Sequence, residues 1–236
     1  MAVSNLFSQS FSIVYFVAPT ITAPIGTNNG QFWSFIPDSN VIYKNITAKK
    51  FPLEGICAGI SSKFEFKSNH PEKFTIESGL TYYLKRYNIS WIGEYDSISQ
   101  SVYTGSVNVS YKIIRNVLGL TCLPGFNFKR ISFNTGINLL VMVTNYSDVK
   151  FMKGGTFIVN YKGYEWGMES TSPINISVPI VLSYSISISR RWDFAPFINC
   201  EIGLFDWDGF ALGDAPAKQV VCLNELMLGA NFIWHR

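Results

Sequence analysis

Charge is scarce in this chain. Only 15% of its 236 residues are Asp, Glu, Lys or Arg, where a soluble domain carries about a quarter. The net charge of +3 is too small to argue for nucleic acid or another strongly anionic partner. Long apolar runs are missing too, and a membrane-crossing helix needs about 20 consecutive apolar residues, so a helical membrane protein is excluded. The four cysteines, Cys57, Cys122, Cys200 and Cys222, form no CxxC pair, which argues against a zinc or redox motif. They read as small apolar residues on strand faces, with a disulfide between neighbouring strands as the alternative. Histidine is limited to His70 and His235, at expected strand ends, which leaves little for hydrolytic chemistry. Gly154-Gly155 lacks a phosphate-loop pattern and reads as loop. Met1–Leu6 shows no basic region followed by an apolar one, so an exported chain would have to be already processed or numbered from an internal start. No enzyme activity and no cofactor are expected.

What is present is aromatic and alternating. Phe, Trp and Tyr make up 16% of the chain, and the mean hydropathy is positive. Ile174, Ile176, Val178, Ile180, Leu182, Tyr184, Ile186 and Ile188 share one face of a period-two run, opposite Asn175, Ser177, Pro179, Val181, Ser183, Ser185, Ser187 and Ser189. Period two means a β-strand. The same pattern predicts strands over Ser8–Thr22, Leu53–Lys67, Lys73–Tyr95, Val107–Phe128, Ile131–Tyr146, Phe194–Phe205 and Gln219–Arg236. Within the fourth of these the apolar set changes phase, from Val107, Val109 and Ile113 to Leu118, Leu120 and Cys122. That change predicts a face switch at a bulge around Ile113–Val117.

Short turns are expected at Ser68–Glu72, Lys129-Arg130 and Arg190–Asp193, and longer connections over Ala23–Pro52, Ser147–Ser172 and Trp207–Lys218. Even strand number, alternating short and long connections, and strands beyond the roughly 9–11 residues that cross a bilayer describe a transmembrane barrel. The polar face is Ser, Asn, Thr and Gly rather than the Lys/Glu-rich exterior of a soluble sheet. The prediction is all-β: one domain over residues 1–236, an eight-stranded antiparallel up-and-down transmembrane β-barrel with long extracellular loops. It would lie in the bilayer of a bacterial outer membrane, with both termini periplasmic.

Several stretches carry a family resemblance: Ile176-Ser-Val-Pro-Ile-Val-Leu-Ser-Tyr184, Phe194-Ala-Pro-Phe197 leading to Gly203, Gly79-Leu-Thr-Tyr-Tyr83, and Leu228-Gly-Ala-Asn-Phe-Ile-Trp234. Over Leu53–Arg236 the chain resembles the PorT-like outer-membrane β-barrels of Bacteroidota, small barrels of the OmpA/OmpX type. The long insertion before the second strand and the terminal Ile-Trp-His-Arg depart from that pattern. The resemblance implies the fold, the compartment and, by analogy, a secretion or barrel-assembly machine as host.

An eight-stranded barrel has room inside only for its own side chains. Lys63, Glu65, Glu77, Lys85, Arg115, Glu201 and Glu225 fall on lumen faces and are expected to pair with one another and with Asn and Ser; an ion or proton path through them is the alternative. The long connections are aromatic. Phe32, Trp33, Phe35, Tyr43, Phe151, Tyr161, Tyr164 and Trp166 are expected to contact other envelope proteins, or else to cap the barrel or hold a small apolar ligand. The sequence therefore favours a non-enzymatic structural or accessory subunit of an envelope complex. A lipid- or small-molecule-binding barrel, or a narrow channel, is the alternative.

Overall fold

A computed structural model describes residues 9–25, 41–66, 72–97, 104–166, 174–204 and 222–236. The alternation becomes strands β1 (Gln9–Ile25), β2 (Val41–Phe66), β3 (Glu72–Ser97), β4 (Thr104–Phe128), β5 (Ile131–Thr135), β6 (Ile137–Lys153), β7 (Thr156–Trp166), β8 (Ile174–Tyr184), β9 (Ile186–Ser187), β10 (Trp192–Gly203) and β11 (Cys222–His235). All pairings are antiparallel, and β1 pairs both β2 and β11, so the sheet closes on itself. β5 and β6 form one stave, interrupted at Gly136. There the carbonyl of Cys122 comes so close that a Cβ would collide with backbone. β7, β8 and β9 follow one another down the next stave, β7 on upper β6, β8 on lower β6 and β5, and β9 on β10. The result is a closed, eight-stranded antiparallel barrel.

The strand termini meet at one mouth. Ser12 lies opposite His235, and Gln9 opposite Phe66. The tight turns Lys129-Arg130 and Ser189–Arg191 lie at the same mouth, called the lower one below. Lys129 takes φ 55° to make its reversal, a left-handed conformation uncommon for a side chain with a Cβ.

Two expected connections are largely strand. Val41–Pro52 belongs to β2, and Ser147–Trp166 forms β6, a two-residue turn and β7. Gly154 and Gly155 both have positive φ, as the tight turn of a two-residue hairpin requires. These stretches hid their strand character because their polarity pattern differs from that of the other strands.

That difference runs through the molecule. On β3 the outward residues from Phe74 to Leu84 are apolar apart from Ser78, whereas Arg86, Asn88, Ser90 and Glu94 follow on the same face, with apolar Ile92 among them. Inward residues do the opposite: Thr75, Glu77, Thr81 and Lys85 give way to Tyr87 and Tyr95. On β4, outward Leu118, Leu120, Cys122, Phe126 and Phe128 contrast with outward Ser106, Asn108 and Lys112, while Val107, Val109, Ile113 and Val117 are buried inside. The expected face switch of the fourth strand is therefore wrong. Its odd-numbered residues with described side chains point inward from Val107 to Gly125; what changes is the medium outside. A bulge does occur at this level, but the extra residue is on the partner, where Asn116 and Val117 face Thr144 and Met142 and Val143 is left over.

The apolar band defines a membrane-crossing wall. Phe74 to Leu84 spans about 34 Å along the strand at about 3.4 Å per residue, or about 24 Å along the membrane normal at a tilt of about 45°. Aromatic rings edge its lower side. Phe11 meets Phe64 at 5.3 Å, Phe66 meets Phe74 at 5.6 Å, Phe74 meets Phe126 at 5.6 Å and Phe194 meets Phe232 at 5.6 Å. Above the band, β2, β3, β4, β6 and β7 continue upward, and on β3 and β4 the outer face becomes mainly polar and the inner one mainly apolar. The chain is thus a membrane barrel in its lower half and a water-adapted curved sheet in its upper half.

Candidate functional site: the filled lumen and the closing seam

The lower lumen is lined by the polar set of each alternating strand, and its charges are met in tiers. In the middle tier, Lys85 from β3 reaches Glu225 of β11 at 3.2 Å and Glu201 of β10 at 3.7 Å. Glu201 accepts from the Tyr83 hydroxyl at 3.1 Å, the Ser177 hydroxyl at 2.6 Å and the Asn138 amide at 3.4 Å. Glu225 accepts from the Thr22 hydroxyl at 3.0 Å. The ammonium also lies 4.7 Å from the Tyr83 ring centroid. All of these groups are buried, and a carboxylate or ammonium in such surroundings is tolerated only when paired and hydrogen-bonded. Six staves contribute to this tier, so it fastens the barrel across its diameter.

The lower tier holds Lys63, which donates to Asn127 and Ser132 at 3.1 Å each, and Glu65, which accepts from Asn127 at 2.9 Å and pairs with Lys73 at 2.5 Å. Glu77 accepts from the Ser61 hydroxyl. The upper tier is Arg115, whose Nε donates to Asn145 at 3.4 Å while its guanidinium lies 5.4 Å from the Tyr87 ring. Each of the seven charged residues singled out in the sequence therefore faces the interior and has a partner. Among the described residues the lower lumen holds a small cavity. Its volume of about 50 Å³, bordered by Val14, Lys63, Glu77, Tyr83, Phe197 and Met227 among others, compares with about 30 Å³ for one water in the liquid and with about 300 Å³ or more for a small-molecule site.

The aromatic contact residues fare differently. Phe151 is 2% exposed, in the interior cluster with Tyr95, Val107 and Val109, so it is core and not an outward anchor. β6 continues through it as strand, and its even-to-odd change of face at the Val143 bulge turns it inward. Tyr43 lies in β2, and Tyr161, Tyr164 and Trp166 lie in β7; these are strand positions rather than loop tips. Phe32, Trp33 and Phe35 fall outside the described residues.

One cluster was not legible beforehand. His235 on β11 bridges its neighbours: Nδ1 shares a hydrogen bond with the Ser12 hydroxyl on β1 at 3.0 Å, and Nε2 meets Asp193 Oδ2 on β10 at 3.0 Å. The connectivity Ser–His–Asp is that of a hydrolytic relay. Here, however, Ser12 is only 7% exposed and is not among the residues bordering the lumen cavity. The cluster joins the first, last and penultimate strands at the lower mouth, where the cylinder closes. Residues 12, 193 and 235 are remote in sequence, and only the strand-end position of His235 hinted at it.

The filled lumen, the apolar wall and the closing seam define a closed membrane β-barrel. No family model matches the chain, and no curated protein matches it. Among solved structures it is similar to Neisserial surface protein A, with 12% identity, 98% of this chain and 100% of that chain covered and a TM-score of 0.38. It is also similar to the attachment invasion locus protein Ail of Yersinia pestis bound to the heparin analogue sucrose octasulfate (10% identity, 95% and 98% covered, TM-score 0.28). The outer membrane protease OmpT of Escherichia coli shows 8% identity, 97% coverage of both chains and a TM-score of 0.35. These scores assign no function; the fold rests on the strand pairing itself.

Proposed function

We propose that the chain is a non-enzymatic barrel of the bacterial outer membrane that serves as a structural or accessory subunit of an envelope protein complex. The lower mouth, with both strand termini, faces the periplasm, and partners dock on the upper strands. The observation that carries this reading is the reversal of polarity along β3 and β4 between Leu84 and Arg86 and between Leu118 and Asn116. A lumen filled by paired side chains supports a role without transport, and a water-adapted extension of five strands supports a role in contact. The resemblance to PorT-like barrels favours a secretion or barrel-assembly machine as host. Phe32, Trp33 and Phe35 remain candidates for the contact surface. Mild-detergent purification of the full chain with mass spectrometry of co-purifying proteins tests the proposal. A defined envelope partner, lost when Arg86 and Lys112 on the outer face of the extension are replaced by Glu, supports it. A lone monomer with no envelope partner contradicts it.

A further inference from the structure

The turns at the lower mouth are basic. Lys129 and Arg130 form the β4–β5 turn, Arg190 and Arg191 lie between β9 and β10, and Arg236 follows β11; all are exposed. Hydrogen bonds hold these segments side by side, for the Ser185 N–H donates to the Arg130 carbonyl at 2.7 Å and the His235 N–H donates to the Arg191 carbonyl at 2.9 Å. Among the described residues none of these cations sits in an ion pair. Three carboxylates lie nearby and offset part of this charge. Asp193 is engaged by His235 and Glu65 by Lys73, while Glu72 lies opposite Phe128 beside Lys129.

The height of this arc is fixed by its neighbours. Lys129 lies 5.5 Å from the Phe128 ring. Trp192 follows Arg191 and is paired with Trp234, two residues before Arg236. Aromatic rings of this kind sit at the level of lipid headgroups, so the cations are at headgroup depth. The outer face of the upper strands is also basic, with Lys49, Arg86, Lys112, Lys150 and Lys162 exposed beside Glu54 and Glu94, but it lies away from the aromatic rings that mark headgroup depth. The arc gathers five exposed cations, Lys129, Arg130, Arg190, Arg191 and Arg236, at one mouth.

We propose that this arc binds the headgroups of anionic phospholipids in the leaflet that surrounds the lower mouth. The proposal rests on the membrane-spanning reading above. Each basic residue near an anionic surface favours association by about fivefold, and the attraction is screened by salt. Neutralising Arg190 and Arg191 together, worth up to about 25-fold, is therefore expected to abolish a several-fold preference.

Trp192 and Trp234 serve as reporters. The full chain is reconstituted into vesicles containing brominated phosphatidylcholine or brominated phosphatidylglycerol, and quenching of tryptophan fluorescence is followed against mole fraction. Quenching by both lipids, with phosphatidylglycerol acting at several-fold lower mole fraction, is the expected result. That preference should vanish for Arg190→Gln/Arg191→Gln, shrink at high salt in the unaltered chain, and persist in Lys112→Gln. Equal quenching by the two lipids, or a preference that survives both the double substitution and high salt, overturns the proposal. Its removal by millimolar inorganic phosphate at constant ionic strength also overturns it, in favour of a free-phosphate site. Absence of quenching by either lipid would instead refute the membrane-spanning reading beneath it.

Discussion

Replacing Lys85 with Met removes the one ammonium that faces Glu201 and Glu225 and leaves two carboxylates together inside the barrel. At an effective dielectric of 20, unit charges at the observed separations of 3.2 and 3.7 Å attract by about 5 and about 4.5 kcal/mol. Desolvation already offsets most of that in the intact protein, so the pair's net worth is smaller. The loss on breaking it is nonetheless large, about 3–5 kcal/mol, because the orphaned charges stay buried. With a urea slope of about 2 kcal/mol/M, the unfolding midpoint should fall by on the order of 2 M. Equilibrium unfolding from lipid vesicles, followed by tryptophan fluorescence, measures this. Lys85→Met/Glu201→Gln/Glu225→Gln should recover most of the loss, since neutral amides can still hydrogen-bond with Tyr83, Ser177 and Thr22. A single variant that loses less than about 1 kcal/mol, or a triple variant no more stable than the single, would refute the argument that this tier is an obligatory charge cluster.

Other consequences follow from the same geometry. His235→Ala removes two hydrogen bonds across the closing seam, one of them to a carboxylate, and should cost about 1–3 kcal/mol in the same unfolding measurement. Gly125→Val places a side chain against Asn134 and the Phe133 carbonyl, where even a Cβ collides; a loss of at least 1–3 kcal/mol is expected from overpacking. Leu80→Lys on the outer band should cost about 2–4 kcal/mol, whereas Ser110→Lys on the outer face of the extension should cost about 1 kcal/mol or less. In planar bilayers the purified chain should show no sustained single-channel conductance, and a stable open level would refute the sealing of the lumen.

The eight staves and their faces were legible because alternation is local and one side of each strand meets lipid. Ile174–Tyr184 is the clearest case, with its Ser/Asn face inside as its spacing required. The charged lumen residues were legible one by one, since each interrupts a run of small polar residues. Their grouping was not, because β3, β10 and β11 meet only once the cylinder closes. The upper strands were misread for a physical reason. Above Leu84 the solvent outside is water, so the apolar residues move indoors while the strand keeps its direction. A reader of the sequence meets this as a phase change in β4 and as aromatic stretches in β2, β6 and β7. Phe151 looked like an exposed anchor for the same reason, although it is part of the interior that the extension needs. In the sequence the cationic arc is visible only as two separate basic turns, because the hydrogen bonds that set those turns side by side are tertiary.

The central claim is that the membrane ends, and water begins, between Leu84 and Arg86 on the outer face of β3. Nitroxide labels at Ile76, Leu80, Leu84, Asn88 and Ile92, each introduced singly as Cys after the native cysteines are replaced by Ala, would read this directly in vesicles. Relaxation by oxygen should dominate at residues 76, 80 and 84, and relaxation by a water-soluble nickel complex should dominate at residues 88 and 92. Nickel accessibility at 80, or oxygen dominance persisting through 92, would contradict the placement of the bilayer and with it the division of the barrel into a membrane half and a water-adapted half.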